Sequence, residues 1–283
     1  MVVLTVIVLV VLGLILGSFA NAFVWRLREQ EELKDKKPKD LAEKLRDLSI
    51  MRGRSMCPHC RHKLAAQDLV PVVSWVSLRG KCRYCHKPIG WQYPAVELGV
   101  ALLFVLSYLW WPMALQGYGL LAFVFWLVFV VGFAILTVYD MRWFLLPDKV
   151  VWPLVVLALV QVAIHVLWYG GDGETLLTAA LGVVVASGFF YLLYMGSRGK
   201  WIGGGDVKIG IVIGLLVGGP WPALLVLYVA SVLGTLVSLP LLANKKVDRT
   251  SLIPFGPFLL FATVVVQLFG SSIISWFHGL VFG

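Results

Sequence analysis

Eight apolar runs approach the length at which a helix crosses a bilayer, and this restricts the fold more than any other feature. They cover 2–25, 94–112, 117–139, 149–169, 175–196, 207–218, 220–243 and 252–277. A lipid interior offers the backbone no hydrogen-bond partners, and a helix that spans it needs roughly 20 residues. Charged residues make up 14% of the chain, against about 25% in a water-soluble domain. The expectation is an all-α polytopic membrane protein with about eight transmembrane helices. The sixth run is too short to span alone and meets the seventh at "GGPWP", so seven spans is the competing count.

A net charge of +9 over 283 residues raises nucleic acid as a partner, but the distribution argues against it. Of 24 Lys and Arg, 16 lie between Arg26 and Lys87, mixed with 8 of the 15 acids. The others are Arg142, Lys149, Arg198, Lys200, Lys208, Lys245, Lys246 and Arg249. With the spans numbered in order, all of these fall on the side of the 26–93 loop. The opposite connections carry none. That asymmetry puts 26–93 in the cytoplasm and the N-terminus outside. Trp110, Trp111, Trp168, Trp221 and Trp276 then mark one aromatic belt, and Trp25, Trp143 and Trp201 the other. "ANA" at Ala20–Ala22 resembles a signal-peptide cleavage site. No positive charge precedes the apolar run, however, and Arg26 and Arg28 follow it, so 1–25 reads as a retained first helix. Gly13 and Gly17 form a GxxxG pair suited to close helix packing.

The 26–93 loop is the one polar segment large enough to be a small domain. Its charged part, 29–50, spaces Leu41, Leu45 and Leu48 for a short amphipathic helix or a solvated linker. Its second part, 51–93, holds all four cysteines as "CPHC" (Cys57, Cys60) and "CRYC" (Cys82, Cys85), 21 residues apart. Two C-x-x-C pairs in a reducing compartment point to a four-thiolate Zn²⁺ site. Four thiolates leave no open coordination position, so the metal is structural and supplies folding energy that a small loop lacks.

Seven acids lie outside the loop: Glu97, Asp140, Asp148, Asp172, Glu174, Asp206 and Asp248. Solvation explains Asp172, Glu174 and Asp248 in connections. Glu97 reads as a packing or capping residue in a helix's first turn, and Asp148 as a helix cap. Asp140 and Asp206 sit at the same face of the bilayer, Asp140 near a helix C-terminus and Asp206 at a helix N-terminus. Opposed helix dipoles would push their proton affinities apart, which suits one carboxyl as acid and one carboxylate as base. Gly203, Gly204 and Gly205 precede Asp206, and backbone without side chains lets a peptide approach closely. Capping, or an ion pair with Lys208 or Arg142, is the structural alternative.

Several motifs in order resemble the prepilin peptidases (type IV prepilin leader peptidases). These are "GSFANAFVWRLR", the four-cysteine region ending "GWQYPAVEL", "YDMRWFLLPD" as a D-x6-PD segment, "GGGD" as a GxGD element, and "PFGPF" at Pro254–Phe258. The resemblance implies that Asp140 and Asp206 are a catalytic aspartate pair in a membrane-embedded core, 94–283. It implies cleavage of the basic leader of prepilins or pseudopilins after a glycine, at the cytoplasmic face of a bacterial inner membrane. It also implies methylation of the new N-terminus with S-adenosylmethionine, although the loop shows no Rossmann-type glycine motif. Asn21 either bonds a substrate backbone or ties two helices. Pro254 and Gly256 belong to a segment that either receives an extended peptide or simply starts the last helix.

Two other classes compete. A proton-coupled transporter would carry its acids near the midplane in repeated halves, and no such repeat is visible. A non-enzymatic assembly protein with a zinc module would tolerate Asn at both aspartates.

Overall fold

The computed structural model describes residues 2–36, 38, 40–50, 53–243 and 253–282. Lys245, Lys246, Asp248 and Arg249 lie outside the described residues. Seven helices among these residues are long and apolar enough to cross a membrane. The chain falls into two compact units, Met1–Leu109 and Trp110–Gly283.

The first unit is built on α1 (Val2–Lys36), which runs 11 residues beyond the apolar stretch expected to end at residue 25. Charge does not stop a helix whose charges pair one turn apart. Glu32 meets both Arg28 (3.0 Å) and Lys36 (3.6 Å). Arg26 is buried and donates to the carbonyls of Ser49, Ile50 and Gly53, so α1 anchors the loop that follows. Within that loop α2 (Leu41–Asp47) is short and amphipathic: Leu41 and Leu45 are half-covered and Leu48 is buried. A 3₁₀ turn (Ala66–Leu69) and α3 (Val73–Ser77) come next.

α4 (Gln92–Leu109) returns along α1. Gly13 and Gly17 make the contact, since a Cβ on either would stand 2.5 or 2.6 Å from the Cα of Ala101 or Glu97. The GxxxG pair therefore does the packing expected of it. Asn21 donates to the Tyr93 carbonyl (3.0 Å) and accepts from Gln92, closing the antiparallel pair at its polar end.

The second unit contains α5 (Gly117–Trp143), α6 (Asp148–Trp168), α7 (Gly173–Ser197), α8 (Gly204–Val217), α9 (Pro220–Ala243) and α10 (Gly256–Phe282). α5 is its most enclosed helix, packed on α6 and α10. Asp172, expected to be merely solvated, caps α7 by accepting from the Thr175 N–H at 3.0 Å.

α8 is the short sixth run. Its 14 residues extend about 21 Å, well under the roughly 30 Å of a hydrocarbon core, so the count of full-length spans is seven. It pairs antiparallel with α7 through small residues. A Cβ on Gly210 would stand 2.8 Å from the Cα of Ser187, and one on Gly214 would overlap Val183. The Ser187 hydroxyl donates to the Val207 carbonyl (2.8 Å). α8 thus reaches only to Gly182, nine residues into α7, before Gly218 (φ 69°) turns the chain into α9.

Candidate active site and metal centre

Asp140 lies in the last turn of α5, which ends at Phe144 in the left-handed conformation. Asp206 lies in the first turn of α8, whose N-cap is Gly203. The fold brings them together. Leu146, in the α5–α6 connection, lies where a Cβ on Gly205 would touch it at 3.0 Å and one on Gly256 at 3.6 Å. Gly256 in turn donates its N–H to Asp140 Oδ2 at 3.1 Å, and the charge of Asp140 acts on Asp206. Asp140 is buried and Asp206 half-buried.

This geometry corrects the division of roles drawn from helix ends. Gly256 is the first residue of α10, so the positive end of that helix rests on Asp140. Asp140 therefore lies between the negative end of α5 and the positive end of α10, whose effects oppose one another, while Asp206 stands at a helix N-terminus. Local dipoles do not set Asp140 apart as the acid. The contact joins residues 116 apart in sequence, and no local pattern announces it.

Of the structural alternatives for Asp206, the ion pair is absent among the described residues, whereas its carboxylate does accept from the N–H of Gly203, the N-cap of its own helix. Lys208 pairs with Asp148 at 2.6 Å, and Arg142 lies over the Trp143 ring at 5.8 Å. Asp148 is not the cap it was expected to be. It is the first residue of α6, behind a Pro147 N-cap with no side-chain bond, and it serves as the partner of Lys208. Glu97 does not cap its own helix either. It is buried and accepts the N–H of Val72 at 2.7 Å.

The three glycines before Asp206 differ. Gly205 must be small because Leu146 packs on it. Around Gly203 and Gly204 a Cβ would meet nothing nearer than 3.9 Å, and neither has a positive φ. Nothing in the described chain requires glycine at these two positions. Pro254 lies outside α10, and Pro257 is in its first turn, so the segment starts the helix rather than breaking it. Asn21 belongs to the first unit and is satisfied by the start of α4.

The four cysteine sulfurs lie within 4.8 Å of one another. A tetrahedron of sulfurs at about 2.3 Å from a Zn²⁺ has edges of about 3.8 Å, and Cys57 Sγ–Cys85 Sγ is already 3.9 Å. The two knuckles repeat at an offset of 25 residues. The N–H of Cys57 donates to the His62 carbonyl, and that of Cys82 to Lys87. Arg61 and His86 occupy equivalent left-handed positions (φ 57° and 56°). Burial pushes the Cys57 thiol up to about 12. Burial also opposes ionisation of Cys82, but the N–H groups of Cys85 and Tyr84 outweigh it and bring that thiol down to about 7. The donor set fits a thiolate-bound metal ion. His59, His62 and His86 are not needed as ligands; His62 stacks on Tyr84 instead (centroids 3.7 Å).

Comparison with known proteins agrees with this division. Residues 11–111 match the family described as "Bacterial Peptidase A24 N-terminal domain", and 127–239 match "Type IV leader peptidase family". The chain is 32% identical over 284 residues to a "Prepilin leader peptidase/N-methyltransferase" of Aeromonas hydrophila, covering 94% of this chain and 91% of the relative. A protein of the same name from Burkholderia pseudomallei (strain 1026b) is 33% identical, with coverage of 93% and 84%. The one from Stutzerimonas stutzeri is 31% identical, with coverage of 94% and 91%. No solved structure matches. With both halves matched in order and relatives aligned nearly end to end, the chain belongs to the type IV leader peptidase family.

Proposed function

We propose that this protein is a multi-pass inner-membrane aspartic endopeptidase that removes the leader of type IV prepilins or pseudopilins after a glycine. We also propose that it methylates the new N-terminus with S-adenosylmethionine. Asp140 and Asp206 are the catalytic pair. One carboxylate takes a proton from water as the water oxygen attacks the scissile carbonyl carbon. The protonated partner gives its proton to the carbonyl oxygen. Collapse then breaks the C–N bond as the departing nitrogen receives a proton. The observation that carries this reading is the meeting of two carboxylates beside glycine backbone, Gly203 and Gly204, whose bareness the chain itself does not require. A leader segment in extended form would lie there.

The positive-inside charge pattern puts 26–93 and the aspartate pair at the cytoplasmic face, with the N-terminus outside. The four cysteines hold a structural Zn²⁺ that fixes the two knuckles. The methyl donor would bind apart from the aspartates and supply a methyl group to the amine nitrogen, which would release one proton to solvent as the sulfonium became a thioether. The transporter and assembly readings find no support in the family.

The test is the mass of a purified prepilin after incubation with the purified protein. Loss of the leader is expected without the donor, and a further gain of one methyl with it. An unchanged precursor mass with folded protein rejects the peptidase reading.

A further inference from the structure

The first unit carries a half-open cavity of about 370 Å³, within the range of small-molecule sites. Its walls come from the second half of α1, both knuckles, α3 and the start of α4. Phe19, Phe23, Trp75, Tyr93 and Met56 give it an aromatic and apolar body. Two acids, Glu97 and Asp68, also line it. Glu97 is 6% exposed as a residue, and its carboxylate is held by neutral donors, the Val72 N–H and the Ser18 hydroxyl. Among the described residues no cationic side chain pairs with it.

The two guanidinium groups on the same wall are committed elsewhere. Arg26 donates to three backbone carbonyls, and Arg83 pairs with Asp68 at 2.7 Å. A buried carboxylate without a counter-ion is costly. One that lines a largely apolar cleft with aromatic side chains in its wall is placed to receive a cation, which aromatic rings also attract. Its volume suits one small molecule with a flat body and a positive centre.

We propose that this cavity binds the sulfonium nucleoside donor of methyl transfer, with its nucleoside between the aromatic walls and its sulfonium facing Glu97. The inference rests on the methyl-transfer reading above and adds to it the site and the residue. Selectivity follows from charge. The donor carries a cation that the thioether product lacks, so Glu97 favours the former and lets the latter leave.

Binding of S-adenosylmethionine and S-adenosylhomocysteine to the purified full-length protein, compared in wild type and Glu97→Gln, tests this. Gln keeps the volume and still accepts from Val72, and unchanged metal content reports an intact module. The wild type should prefer the sulfonium. Glu97→Gln should weaken sulfonium binding by about thirtyfold or more, as loss of a buried charge partner does, with little effect on the thioether. Ultraviolet cross-linking of labelled donor to wild type, independent of any variant, should mark peptides from 15–26 or 71–97. An unchanged sulfonium-to-thioether ratio in Glu97→Gln, or label confined to 110–283, overturns the cavity while methyl transfer itself stands. A wild type that cleaves prepilin but neither binds donor nor transfers methyl removes the underlying reading as well. If a free-amine peptide beginning with Phe competes with donor and it alone responds to Glu97→Gln, the site belongs to the acceptor and the proposal is wrong.

Discussion

If the protein were only a scaffold, each residue near the aspartates would answer to packing alone. Asp140 and Asp206 were legible because each is a lone acid in apolar surroundings that its local sequence does not explain. Gly256 was legible only as part of a suspected peptide-binding segment, because its contact with Asp140 depends on tertiary packing. Asp140→Asn and Asp206→Asn should each lower prepilin cleavage by orders of magnitude with metal content unchanged. The double variant should be barely worse, since groups acting as a unit are not additive. Substantial cleavage by Asp206→Asn would end the mechanism. Gly256→Ala is a subtler probe. Its Cβ would stand 2.5 Å from Asp140 Oδ2, so the carboxylate must move, and kcat should fall in a protein that still folds. Gly203→Ala meets open space. It should therefore fold normally and raise KM for prepilin. A normal KM would mean that this backbone does not receive the peptide.

At the scale of elements, the apolar pattern located every long helix but misjudged where the first one ends. Hydropathy marks where lipid begins and says nothing about where hydrogen bonding stops. Past Trp25, α1 is sustained by Arg28–Glu32–Lys36 pairing and by the carbonyls that Arg26 gathers. The pairing of α7 with α8 was likewise hidden, because the glycines at 182, 210 and 214 show their use only once their neighbours across the helix pair are seen. A Cβ on Gly214 would overlap Val183. Gly214→Val should therefore separate the hairpin, with an overpacking cost of about 1–3 kcal/mol, and lower both thermal stability in detergent and cleavage. The knuckles give the clearest chemical forecast. Cys57 is protonated in the metal-free cluster, with its thiol at about 12, so metal binding releases protons and apparent affinity should fall on acidification. Cys57→Ser or Cys85→Ser should lose the metal and expose 51–93 to protease. A stable, metal-free variant that is inactive would instead make the metal part of the chemistry.

At the scale of the whole molecule, charge and helix count must agree on one path through the membrane. Seven helices qualify as spans by length, yet alternation with seven would separate the ends of α7 and α9 differently from alternation with eight. The described geometry bears on this. α8 runs antiparallel to α7 and hands over to α9 through a tight turn at Gly218, so in direction it counts as a crossing even though it stops short. Counted this way, the basic residues Arg142, Lys149, Arg198, Lys200 and Lys208 of the second unit fall on one face, as the positive-inside rule would have it. Counted as seven crossings without α8, the path reverses at α9, and α10 begins on the face opposite Asp140. Gly256 could not then donate to that carboxylate, but it does, at 3.1 Å. Single cysteines introduced at 115 and 172 should therefore label from outside intact cells, whereas one at 40 should label only after permeabilisation. Outside labelling at 40 would invert the whole path and remove the reducing environment on which the thiolate site depends.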